Sequence, residues 1–153
     1  MVEVALAIDV AASPEDVWAA AVDWARQGEW MAFTRVEGGH GLGATLTAWT
    51  GIGPFGFTDP MTITAWEPPY RCVVRHDGRV VRGTAAFEVL PTGNGARFVW
   101  TEWLTLGLLG EIGFALVRPL VLWPLRASME RFARWVSTRG TPAAPSRGTP
   151  APR

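Results

Sequence analysis

The stretch "GLLGEIGFALVRPLVLWPL", from Gly107 to Leu125, constrains the fold most, because so apolar a run must either cross a bilayer or be covered by the rest of the domain. A span needs about 20 apolar residues, and a charge near its centre costs roughly 2.5–3.5 kcal/mol on insertion scales. Glu111 and Arg118 both fall inside this run, and Pro119 and Pro124 would kink it. Downstream the pattern turns amphipathic, with Leu125, Met129, Phe132 and Val136 on one stripe and Arg126, Glu130 and Arg134 at i,i+4 spacing. The expectation is one long C-terminal helical region, broken near its prolines and packed over a sheet, with no transmembrane span.

The sheet is visible upstream. Val2, Val4, Leu6, Ile8 and Val10 alternate with Glu3, Ala5, Ala7 and Asp9, the period-2 pattern of a strand with one buried face. "SPED" then opens a helix, with Ser13 as cap, Pro14 at a position whose N–H is not needed and Asp16 three residues after the cap. "HDGR" places Asp77-Gly78 as a two-residue hairpin turn, which sets His76 opposite Arg79. In that register Cys72, Val74 and His76 share an inner face with Val81, Gly83, Ala85, Phe87 and Val89, while Arg71, Arg75, Arg82 and Glu88 face out. Extending the meander through "EPPY" pairs Ala65 with Cys72 and Ile63 with Val74, leaving Trp66 outside beside Arg71. Through "TGNG" it pairs Phe98 with Phe87, Trp100 with Ala85 and Glu102 with Gly83, with Arg97 opposite Glu88 and Trp103 opposite Arg82 on the outer face.

Composition removes several functions. A length of 153 residues suits one domain with one sizeable core. The 14 basic and 14 acidic residues cancel and are scattered, so no nucleic-acid partner is expected. The chain has no lysine, which excludes a side-chain Schiff base and a P-loop lysine together. One cysteine, Cys72, and two well-separated histidines, His40 and His76, suggest neither a disulfide framework nor a metal cluster. No cofactor is implied. The N-terminal segment lacks a basic n-region, so a cytoplasmic location is expected. "RGTPAAPSRGTPAPR" repeats RGTPA with little to bury; residues 1–138 are read as the domain and 139–153 as a disordered tail.

The order of strand, short helices, antiparallel meander and long helix resembles the START-like (SRPBCC) superfamily and, within it, the polyketide cyclase/dehydrase-like group. The resemblance runs from Val2 to Ser137 and is carried by "SPEDVWAAAVDWARQGEW", "GATLTAWTG", "ITAWEPPYRCVV", "GTAAFEVLPTGNGARFVWTEWL" and "GLLGEIGFALVRPLV". It implies an α+β helix-grip fold, in which a curved antiparallel sheet wraps the last helix around a hydrophobic cavity. Family members bind lipids, sterols, hormones or aromatic polyketides, and some are catalytic. The fold does not choose among these, and no universal catalytic motif transfers to this chain.

The site is therefore argued from the residues. Glu102 is a carboxylate on an apolar inner face, fit to bind a ligand donor or to act as general acid or base; the alternative is a strand-end carboxylate paired with an arginine such as Arg35. His76, at a turn, reads as a solvated hairpin residue. Trp30, Trp49 and Trp100 are candidate walls for a flat ligand, with Val74, Val81, Ala85 and Phe87, whereas Trp18 and Trp135 sit on helical faces and suit core packing. "GGHGLGA" has Gly39, Gly41 and Ala44 at GxGxxA spacing but opens no helix, so it is a turn. "GIGPFGF" offers Ile52 and Phe55 as a gating loop or an ordinary turn. The expected function is binding of an apolar, aromatic or polycyclic small molecule. The alternatives are an aromatase/cyclase-like enzyme with Glu102 moving protons, and an interaction protein whose Leu116, Leu120 and Trp123 meet a second subunit or a membrane surface.

Overall fold

The structure is a computed structural model that describes residues 1–79, 81–105 and 108–139, with the backbone alone for 108–118, 120 and 121. The 140–153 part of the expected tail lies outside the described residues. Seven strands, β1 (Val2–Val10), β2 (Thr34–Gly38), β3 (Thr45–Ile52), β4 (Phe55–Glu67), β5 (Arg71–His76), β6 (Gly83–Thr92) and β7 (Gly95–Leu104), form one antiparallel sheet in the order β1-β7-β6-β5-β4-β3-β2. Helix α1 (Pro14–Ala21) and a 3₁₀ helix (Trp24–Glu29) link β1 to β2, and α2 (Leu108–Arg139) closes the fold. This is the α+β helix-grip arrangement.

The local signals at the N-terminus act as read. Ser13 Oγ accepts from the Asp16 amide at 3.1 Å and so caps α1, and it donates to the Asp16 carboxylate at 2.8 Å, which holds the hydroxyl in place. Faces in the meander follow the alternation, but three registers differ. Asp77 does not turn a two-residue hairpin: its amide donates to the Pro60 carbonyl, and its carboxylate accepts from Thr62 at 2.6 Å and Arg75 at 2.7 Å. Held to β4 in this way, the chain needs residues 77–82 to reach β6, and His76 meets Gly83 rather than Arg79. Glu102 pairs with Ala85 and Phe87 with Trp100, two residues from the expected register. The outer-face pairs change accordingly: Arg97 binds Asp9 at 2.7 Å, Glu88 lies 3.6 Å from Arg71, and the Trp103 indole donates to Glu3.

The third difference changes a face. A bulge between Ile63 and Ala65 keeps Ile63 opposite Val74 but moves Trp66 opposite Cys72. One extra residue reverses the alternation beyond it, and Trp66 turns inward onto Trp18, ring centroids 5.0 Å apart. In the C-terminal region, α2 continues as one helix through Pro119 and Pro124 rather than breaking there. Each proline removes one N–H but keeps a helical φ, and the turns that follow are held by Met129, Phe132 and Val136, all buried. Phe132 packs tilted against Phe98 at 4.5 Å and edge-on against Trp30 at 4.8 Å, and this aromatic cluster anchors α2 to the sheet. No helix among the described residues is long and apolar enough to cross a membrane.

Candidate functional site

Between the sheet, the 24–34 segment and α2 lies a cavity of about 460 Å³. Its walls include Trp24, Met31, Leu46, Val74, Phe87 and Trp100, and its edge includes Phe33, Val81, Leu104 and Leu125. Val74, Val81, Ala85, Phe87, Trp100 and Glu102 all line it, as the inner-face reading anticipates. Shifts of four residues at β5–β6 and two at β6–β7 are even, so they preserve which side chains point inward.

Two expected wall residues lie elsewhere. Trp30 is fully buried in the aromatic cluster with Phe98 and Phe132, away from the cavity. Trp49 falls on the opposite face of β3 from Leu46, Ala48 and Thr50, the three that line the cavity. Its ring lies over the glycines of the Gly51–Gly56 pair, and the Arg35 guanidinium stacks 4.9 Å from it. Arg35 is thus occupied outside the sheet and is not the partner of Glu102. In the β3–β4 hairpin, Ile52 and Phe55 are 67% and 82% exposed and neither lines the cavity; Phe57 does. At the other edge Trp123 is exposed on α2, while the side chains of Leu116 and Leu120 lie outside the described residues.

The polar end of the cavity is built by three strands. His76 ends β5, Asp59 lies on the neighbouring β4, and Glu102 lies on β7, two strands away. Neighbouring strands lie about 4.8 Å apart, so His76 and Glu102 can meet only if β6 carries nothing bulky between them. Gly83 and Ala85 are the β6 residues opposite His76 and Glu102. Over that low saddle His76 Nδ1 reaches Asp59 Oδ2 at 2.6 Å and Nε2 reaches Glu102 Oε2 at 3.2 Å. The other oxygen of Glu102 accepts from the Trp100 indole at 2.8 Å.

His76 is therefore not a solvated turn residue; its side chain is 6% exposed. Burial alone would lower its pKa, but hydrogen bonds to Asp59 and then Glu102 outweigh burial and hold it at about 9. At neutral pH the ring is an imidazolium that donates from both nitrogens. Asp59 is left with one oxygen, Oδ1, that is buried and has no hydrogen-bond partner, as does Oε1 of Gln27 on the same cavity wall. Burial pushes the Cys72 thiol up to about 12, which keeps it protonated and unreactive. Among the described residues no cluster of His, Cys, Asp and Glu is arranged to hold a metal ion.

The sequence reading missed Asp59 and undervalued His76. The alternation of Phe57, Asp59, Met61 and Ile63 in β4 carries the signal for Asp59, since it places that carboxylate on the inner face.

A family profile described as "Polyketide cyclase / dehydrase and lipid transport" matches residues 1–136. The chain belongs to this family. Solved structures agree on the fold. A Thermus thermophilus protein superposes with a TM-score of 0.71 at 18% identity, covering 92% of this chain and 100% of that one. The di-domain ARO/CYC StfQ of the steffimycin biosynthetic pathway gives 0.72 at 13% identity, over 90% of this chain and 51% of StfQ. A Thalictrum norcoclaurine synthase point mutant, in complex with a transition-state analogue, gives 0.68 at 16% identity, over 92% and 96%. A search of curated proteins gave no match.

Proposed function

We propose that this family member binds an apolar, aromatic or polycyclic small molecule in the cavity beneath α2. The observation that carries the reading is the cavity itself: about 460 Å³ falls within the size range of small-molecule pockets, and apolar walls with a few convergent polar groups are the usual make-up of such sites. The aromatic walls of Trp24, Phe87 and Trp100 suit a flat ring system. Titration with Nile red, a neutral apolar fluorophore, is expected to give saturable one-to-one binding with energy transfer from tryptophan. Filling the space with Ala85→Phe should abolish it while circular dichroism stays unchanged. Absence of binding to the unaltered protein, or equal binding by a folded A85F variant, would overturn the reading.

A cyclase-like reaction is the second reading, favoured by the Asp59–His76–Glu102 chain at the end of the cavity, buried at Asp59 and His76 and partly exposed at Glu102. Coupled ionisable groups in a pocket are the usual means of moving protons on and off a substrate. On this reading Glu102→Gln abolishes turnover of a polyketide-like substrate and leaves its binding nearly intact. Loss of both together would mark Glu102 as a structural carboxylate.

A further inference from the structure

Most polar side chains at this end of the cavity are already bonded to one another or to the backbone. The Trp100 and Trp24 indoles donate to Glu102 and to the Gly39 carbonyl, and His76 donates from both ring nitrogens. The hydroxyls of Thr34 and Ser128 donate to the backbone carbonyls of Ala32 and Pro124. Asp59 Oδ1 and Gln27 Oε1 have no partner but are closed to solvent, Asp59 Oδ1 on the side of Gly78, so the acceptor a ligand in the cavity can reach is the Glu102 carboxylate, 18% exposed.

Charge decides what kind of donor. Two carboxylates, Asp59 and Glu102, face one imidazolium, His76, which leaves one formal negative charge at this end. Among the described residues that line the cavity there is no arginine to cancel it, and Arg35 is committed to Trp49 on the outer face. The ring faces of Trp24, Phe87 and Trp100 are compatible with a cation and unfavourable to an anion. Building on the binding reading above, we infer that the cavity takes an apolar amine, whose protonated nitrogen lies against the net negative charge of the Asp59–His76–Glu102 group while its hydrophobic body fills the aromatic walls. A fatty-acid carboxylate would meet like charge at the same place.

Three probes of one shape separate the possibilities: naphthylethylamine, naphthylethanol and naphthylacetate, titrated by calorimetry at neutral pH. The amine is expected to bind about tenfold more tightly than the alcohol, since charge-assisted contacts are roughly twice as strong as neutral ones and a difference of about 1.4 kcal/mol is tenfold in affinity, and the acetate should bind weakest. Asp59→Asn keeps the shape and removes the charge, and should bring the amine down to the alcohol's affinity while leaving the alcohol almost unchanged. An amine that binds no better than the alcohol, an acetate that binds best, or an unaltered amine preference in a folded D59N variant overturns the inference and leaves the binding reading standing. Failure of all three probes overturns the binding reading, and the inference with it. The series on the unaltered protein decides the matter even if D59N does not fold.

Discussion

A histidine side chain only 6% exposed keeps its proton at neutral pH only when its partners return more than burial removes, and Asp59 and Glu102 do so for His76. Because the folded value, about 9, lies above the unperturbed 6.5, the folded state binds the proton more tightly. The resulting stabilisation is fully present below the unfolded value and is lost as pH rises through about 9. Urea unfolding between about pH 6 and pH 10 should show stability falling by on the order of 3 kcal/mol across that window. His76→Phe should remove most of this dependence, leaving the smaller decline above about pH 9 that the raised Cys72 thiol contributes, and an equally steep decline in the variant would place its origin elsewhere. The pairing is not local in sequence. His76 precedes Asp77-Gly78, a surface signature, and its partners are a β4 carboxylate seventeen positions before it and a β7 carboxylate twenty-six positions after it. Glu102 was legible as an inner-face carboxylate because alternation alone fixes its side; its partners required the sheet order.

Strand faces were easier to read than strand registers, for a physical reason. A face depends on parity, and the even slips at β5–β6 and β6–β7 left parity intact, so Ala85, Phe87 and Trp100 stayed inside. The bulge near Thr64 changed parity, and Trp66 changed sides with it. Trp49 was legible as outward from its place beside Leu46 and Ala48; weighting its aromatic ring above its position in the alternation put it on the wrong wall. Gly83 shows how tightly β6 is fitted. Its φ is 135°, a conformation that side-chain-bearing residues rarely adopt, and a Cβ there would run into the Trp103 carbonyl. Gly83→Ala should therefore destabilise the protein by about 2–4 kcal/mol, measured by thermal or urea unfolding, and weaken the His76–Glu102 contact that crosses this strand. A neutral substitution would show that β6 can shift without cost.

At the scale of the whole molecule the inner face divides its work. The half holding Trp30, Phe98, Phe132 and Val136 is solid aromatic core, and the half holding Val74, Ala85 and Trp100 is left open as cavity. The two halves meet at Ser128, whose hydroxyl accepts from the Ala32 amide at 3.0 Å while donating to the Pro124 carbonyl, so the helix and the 30–34 segment are tied where packing gives way to space. Next to that tie stands Phe33. It is 56% exposed, lines the cavity, and has a φ of 60°, the left-handed region that an aromatic residue seldom occupies. The backbone is held there by the Gly51 amide, which donates to the Phe33 carbonyl at 2.9 Å. Such a conformation costs roughly 1–2 kcal/mol, and Asn bears it more easily. Phe33→Asn should thus leave the melting temperature unchanged or raised while loosening the grip on Nile red; a variant that both melts lower and binds as well as the parent would refute this. Selection for robustness alone would have placed a smaller residue at this bend. A chain that keeps phenylalanine there gives up stability for a side chain that lines the cavity, so breeding this protein only for heat resistance should enrich substitutions at Phe33 and, on the proposed binding reading, loosen the cavity's hold on an apolar ligand.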